Sequence, residues 1–171
     1  MARPSASREL FRGRWLRVVE EEWPGAGTWE IVRPFDAVSV VPRTPDGDVL
    51  LVRQFRPAVG RAMLEIPAGL LDVDGEAPID CAARELLEET GFRNVSIEPL
   101  GAIFPSPGAW GERIHLFDAE TAPTPEAGPE DGIELVRRPF DEVVAEARAG
   151  RVDDAKTALA LLLSASRGAG R

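Results

Sequence analysis

Apolar residues in the middle of the chain fall at Ile79, Ala82, Ala83, Leu86 and Leu87, roughly the spacing of one helix face. The pattern predicts an amphipathic helix from about Ala77 to Thr90, with Pro78 in its first turn, Asp74 or Gly75 as cap and Gly91 as its stop. Before it, Leu10 to Val19 alternates in part, and Trp23-Pro24-Gly25-Ala26-Gly27 breaks the chain ahead of Thr28 to Val32. These segments predict an N-terminal hairpin behind a flexible tail at residues 1–8. Ala37 to Val41 has the continuous β-branched character of a buried strand, and Asp46-Gly47 is a hairpin signal leading into Val49 to Gln54. Further strands are expected at Val95–Ile103, Arg113–Ala119 and Ile133–Arg137. Two helices follow, Phe140–Ala149 between Pro139 and Gly150, and the Ala/Leu-rich Asp154–Ser166. The loop Ala122 to Gly132 is rich in Pro, Gly and acid, and the tail RGAGR should fray. Strands around one long central helix, with a helix at the end, predict an α/β sandwich.

Length and charge narrow the classes. At 171 residues the chain suits one well-buried domain. Net charge is −9 and the basic residues are scattered, so the footprint of a nucleic-acid binder is missing. An anionic substrate would therefore need local positive charge, from a metal and a few arginines. Cys81 is the single cysteine, which excludes an intramolecular disulfide and suits a small core residue. No secretory h-region or membrane-length apolar run is present, so the expected location is the cytoplasm, with no membrane partner.

The candidate chemistry sits on the central helix. Arg84-Glu85-Leu86-Leu87-Glu88-Glu89 places Glu85, Glu88 and Glu89 at spacings of three and four, where all can converge on one edge. Like charges so close repel and raise one another's pKa unless a cation joins them. All-oxygen ligands select hard divalent ions, Mg²⁺ above all, and Arg84 can pair with Glu88 to hold it. Taken alone, such a cluster is more often the solvated face of a surface helix.

The flanking residues decide between these. Gly69, then six residues, Glu76, then seven residues, and Arg84 to Phe92 (RELLEETGF) resemble the Nudix box, with one extra residue in the Asp72–Gly75 loop. The resemblance extends over about Phe35 to Ser166. It implies an αβα Nudix sandwich with a mixed sheet for residues 35–171, preceded at 1–34 by a tail and a β-hairpin used in dimerisation. Glu65-Ile66-Pro67-Ala68-Gly69-Leu70, Val52-Arg53-Gln54-Phe55-Arg56-Pro57, and Pro107 fifteen positions beyond Phe92 resemble the ADP-ribose pyrophosphatase subgroup. The chain has no tyrosine, so the tyrosine marker of dinucleoside polyphosphate hydrolases is absent, and no CoA-type signature precedes the box.

The resemblance implies hydrolysis of ADP-ribose to AMP and ribose 5-phosphate with Mg²⁺, or Mn²⁺, in a homodimer with exchanged N-terminal strands. Alternatives are another nucleotide sugar (an ADP- or GDP-hexose) and a catalytically inactive ADP-ribose sensor. Glu85, Glu89 and Glu88 are the implied metal ligands, together with the Ala68 carbonyl, and Arg84 belongs to the catalytic set. Glu76 is a secondary acidic partner, and Gly69 and Gly91 are expected to supply positive φ. Arg56 is the candidate for substrate phosphate or terminal ribose; otherwise it pairs with a surface carboxylate. Arg53 has the same two readings. Pro107 and Gly108 are candidate substrate contacts. For the general base the implied loop offers Glu130, then Asp131 and Glu126, with Glu112 as a further acid. Among Trp15, Trp23, Trp29 and Trp110, Trp29 with Glu30 suits adenine best, as a ring beside an acceptor; core or interface packing is the alternative for each. His115 reads as structural.

Overall fold

A computed structural model describes residues 3–168. The first three strands, β1 (Ala6–Arg12), β2 (Leu16–Trp23) and β3 (Gly27–Pro34), form an antiparallel sheet of their own. The expected two-stranded hairpin is therefore a three-stranded meander. The stretch from Leu10 to Val19 is cut at Gly13, where a short turn closes with the Gly13 N–H donating to the Leu16 carbonyl at 2.8 Å. From Ala6 onward the supposed tail is strand; residues 1–2 and 169–171, the latter part of the RGAGR stretch, lie outside the described residues.

The second sheet carries β4 (Ala37–Arg43), β5 (Asp48–Arg56), β6 (Arg61–Glu65), β7 (Ala68–Leu70), β8 (Asn94–Ile103), β9 (Ile114–Thr121) and β10 (Glu134–Pro139). Its path is β10-β5-β4-β9-β8, with β6 on β5 and β7 on β4. β4 and β9 run parallel and the other pairs antiparallel, which makes the sheet mixed. The short strands β6 and β7 have too few residues to stand out in the sequence pattern.

Alternation along β4 builds the two layers. Val38 and Val40 face α1 (Pro78–Thr90), meeting Cys81, Ala82 and Leu86. Ala37 and Val41 face α2 (Phe140–Arg148) and α3 (Ala155–Gly168), meeting Val143, Val144, Ala160 and Leu161. A strand buried on both faces must be apolar at successive positions, and each such Val contributes about 1.5–3 kcal/mol by leaving water. Helix α1 starts with Pro78 after Ala77 and has no side-chain cap, so neither Asp74 nor Gly75 caps it. It stops at Gly91, whose φ of 76° lets its N–H donate to the Leu87 carbonyl at 2.8 Å. The two sheets join where the Val32 N–H donates to the Ala109 carbonyl and Gly111 N–H to Val32, at 2.8 and 2.9 Å.

Candidate active site

One edge of α1 carries the acidic residues, and Arg84 ties them together. Its guanidinium donates to both oxygens of Glu76 at 2.9 and 3.0 Å, to Glu85 Oε1 at 2.6 Å and to Glu88 Oε2 at 3.0 Å. The pairing with Glu76 holds that carboxyl below its ordinary range. Burial pushes the Glu85 carboxyl upward, against the pull of Arg84.

The β4–β7 ladder brings main-chain groups to the same edge. Val40 N–H donates to the Pro67 carbonyl and Leu71 N–H to Asp36, which marks Ser39–Ala68 and Ala37–Leu70 as pairs without mutual hydrogen bonds. The N–H and C=O groups of Ala68 and Leu70 therefore turn away from β4. Ala68 N–H reaches Glu89 Oε2 at 3.0 Å, and the Leu70 carbonyl accepts from the Cys81 thiol at 3.5 Å. Glu89 is 6% exposed. Burial pushes its carboxyl up to about 7, moderated by the Ala68 N–H and reinforced by the charge of Glu85.

Gly69 has a different role from the expected one. It is not among the glycines with positive φ. A Cβ there would sit 1.9 Å from the Glu85 carboxylate carbon, so the glycine is needed for space. At Gly91 both demands coincide: φ is positive, and a Cβ would lie 2.0 Å from the Ala127 carbonyl oxygen.

Opposite the acidic edge stands a basic group. Arg56 donates to both oxygens of Glu65, from Nε at 2.8 Å and from Nη2 at 2.9 Å. Glu65 is 3% exposed, so the partner of Arg56 is a buried carboxylate and not a surface one. Burial pushes Glu65 up, yet Arg56 and the ammonium of Lys156 outweigh it and bring the carboxyl below its usual range. Arg53 is not brought to the site. It alternates to the other face of β5, toward α2, and pairs there with Glu134 at 3.3 Å.

The loop of residues 122–132 crosses the end of α1. Glu126 N–H donates to the Gly91 carbonyl at 2.7 Å and Glu130 N–H to the Glu88 carbonyl at 3.0 Å. Glu130 is close enough to act on the charge of Glu89. Glu126 is committed elsewhere, to a two-pronged pair with Arg93 at 2.9 Å. Asp131 is exposed and makes no side-chain hydrogen bond among the described residues. Burial raises the Glu112 carboxyl, opposed by Trp110 and Lys156.

A groove of about 420 Å³ runs between β3 and the segment 107–111, with Trp23, Trp29, Ile31, Pro107, Gly108 and Trp110 among its walls. Trp29 and Pro107 thus meet within a single chain. Glu30 does not join them, because neighbouring residues of β3 point to opposite faces. The expected pairing of Trp29 with Glu30 around one base is not formed in this chain.

Comparison with known proteins identifies the family and the fold. The NUDIX domain family model matches residues 33–161. The chain belongs to the Nudix family. An ADP-ribose pyrophosphatase of Bacillus subtilis (strain 168) is 35% identical over 164 residues, 91% of this chain and 88% of that protein. A GDP-mannose pyrophosphatase of Yersinia enterocolitica is 41% identical over 128 residues, 68% of this chain and 66% of that protein. A solved ADP compounds hydrolase superposes with a TM-score of 0.81 at 24% identity, covering 99% of this chain and 95% of that one, which shows a shared fold.

The donor set of the Nudix helix suits a divalent cation. Glu89 is a buried carboxylate compensated by one main-chain N–H, and Glu85 lies beside it. One oxygen each of Glu85, Glu88 and Glu89 takes no hydrogen bond among the described residues. The described residues include no set of three His, Cys, Asp or Glu already at ligand spacing, and the other oxygens of Glu85 and Glu88 are paired with Arg84. Glu65 and Lys156 were not among the residues the sequence singled out for a role. Glu65 opens the stretch that resembles the subgroup, and Lys156 is the only lysine in the sequence.

Proposed function

We propose that this Nudix protein hydrolyses the pyrophosphate bond of ADP-ribose, giving AMP and ribose 5-phosphate, with Mg²⁺ as its cation and Mn²⁺ as a substitute. The observation that carries the reading is Glu89, a buried carboxylate short of positive charge, beside Glu85 on the edge that Ala68 faces. A bound cation supplies charge neutralisation of the diphosphate and a more acidic water. Glu85, Glu89 and the Ala68 carbonyl hold that cation, with Glu88 as a further ligand. Arg84 keeps Glu85 and Glu88 from swinging away. Glu130 accepts the proton of the attacking water as its oxygen bonds to phosphorus and the bridging P–O bond breaks. Arg56 binds a phosphate oxygen, and Trp29, Pro107 and Gly108 receive the base.

The 35% identical Bacillus subtilis ADP-ribose pyrophosphatase supports this substrate over nearly the whole chain. The Yersinia relative makes GDP-mannose the second reading. Residues 1–34 serve as the dimerising segment of a 35–171 hydrolase domain, through the β1–β3 sheet with its exposed Phe11, Trp15 and Trp29. A cytoplasmic site of action goes with a nucleotide-sugar substrate. Purified protein with Mg²⁺ should release AMP from ADP-ribose with a higher kcat/KM than it releases GMP from GDP-mannose. The reverse ranking replaces the substrate, and no release from any nucleotide sugar refutes the hydrolase.

A further inference from the structure

The first turn of α3 stands behind the basic side of the site and grips it at two points. The Lys156 ammonium pairs with Glu65 Oε2 and, at 3.0 Å, with Asp154 Oδ2. One residue on, Thr157 Oγ1 accepts the Ile66 N–H at 3.0 Å. Asp154 also accepts the Thr157 N–H at 3.0 Å, so the carboxylate that steadies Lys156 is the one that caps the helix. Glu65 and Ile66 lead directly into Pro67 and Ala68. Glu65 is in turn the two-pronged partner of Arg56.

Stability alone does not explain this arrangement. The Lys156 side chain is 13% exposed and that of Glu65 is 4%. Taking both charges out of water costs several kcal/mol each before their attraction is counted, and apolar residues of similar volume often serve a fold as well or better. The network is also neutral overall: Arg56 and Lys156 match Glu65 and Asp154 in number. What it fixes is direction. Glu65 meets Arg56 through both oxygens while Lys156 holds the same carboxylate from behind, leaving the carboxylate one orientation. The guanidinium inherits it, and Arg56 Nη1 makes no hydrogen bond among the described residues.

We propose that Lys156 is a positioning residue for substrate binding, acting through Glu65 to hold Arg56 with its free edge toward the substrate diphosphate. The inference rests on the hydrolase reading above. Arg56 then contributes to substrate and transition state alike, and its loss appears in KM more than in kcat.

Steady-state kinetics on ADP-ribose with K156M, K156R, R56A and the double variant R56A/K156M test it. Lys156→Met should raise KM about tenfold with kcat within about threefold, tenfold being about 1.4 kcal/mol. Lys156→Arg, which keeps the charge, should return KM to within about threefold of wild type. In R56A/K156M the KM should equal that of R56A alone, because Lys156 has nothing left to position. An unchanged KM in K156M overturns the proposal, as does a double variant in which the two effects multiply. If K156M does not fold, K156Q takes its place in the same cycle. A wild-type protein that hydrolyses no nucleotide sugar refutes the reaction, and calorimetric binding of ADP-ribose then decides on Lys156. Tenfold weaker binding by K156M supports the positioning role; equal binding by the two proteins, or none by either, overturns it.

Discussion

Two charge clusters meet at residues 65–69, and their stoichiometry is opposite. On the α1 side one cation, Arg84, serves three carboxylates, Glu76, Glu85 and Glu88, while Glu89 beside them accepts, among the described residues, only a main-chain N–H. On the α3 side one carboxylate, Glu65, serves two cations, Arg56 and Lys156. The second cluster is closed by Asp154 and balanced. The first carries a surplus of negative charge, with no second cation paired to it among the described residues. A surplus of that kind makes a site responsive to cations and protons, whereas a balanced network supplies geometry.

The contrast breaks first at the carboxylates. Replacing Glu85 or Glu89 by Gln removes a charge from the unbalanced cluster at nearly constant shape. Turnover should fall about 10³-fold, several kcal/mol of transition-state stabilisation, with the circular dichroism spectrum unchanged. Activity near wild type in either variant would take that residue out of the cation site. Gly69→Ala comes next. Its Cβ would lie 1.9 Å from the Glu85 carboxylate carbon, the far end of a flexible side chain. The fold should absorb the change for about 1 kcal/mol while kcat drops about 100-fold, read by thermal melting beside kinetics. Equal losses in stability and activity would make Gly69 a folding residue only.

The smallest effect is that of pH. The folded chain keeps the Glu89 proton up to about 7, whereas a free glutamate loses it near 4.5. Between those values the folded state binds the extra proton, so metal-free stability falls as pH rises through the window. Mg²⁺ must displace the same proton, and its affinity should rise about tenfold from pH 6 to pH 8, then level off. Calorimetric titration of wild type against E89Q checks this: the variant should lose the slope, and a slope that persists assigns it to another group.

The central helix and most strands of the second sheet were legible because their signals are local. Ile79 to Leu87 repeat at helical spacing, Gly91 stops the helix, and Arg84 to Glu89 place the acids on one edge. What escaped needed distance or a third dimension. Lys156 meets Glu65 across 91 residues, and no window of sequence joins them. Trp29 and Glu30 are neighbours in the chain but back to back in β3, which only the register reveals. Gly13 divides a plausible single strand, yet nothing local says that the chain reverses there. For Gly69 the sequence marked a needed glycine but could not separate backbone conformation from a side chain arriving 16 residues later.

The segment that drapes over the C-terminus of α1 leaves a mechanical consequence. Its amides at Glu126 and Glu130 bond the carbonyls of Gly91 and Glu88, groups a helix terminus would otherwise offer to solvent. Glu130 therefore rides on the same rod as Glu85, Glu88 and Glu89. Drawing that segment away would cost the helix end those two bonds, so the placement of Glu130 and the termination of α1 are coupled.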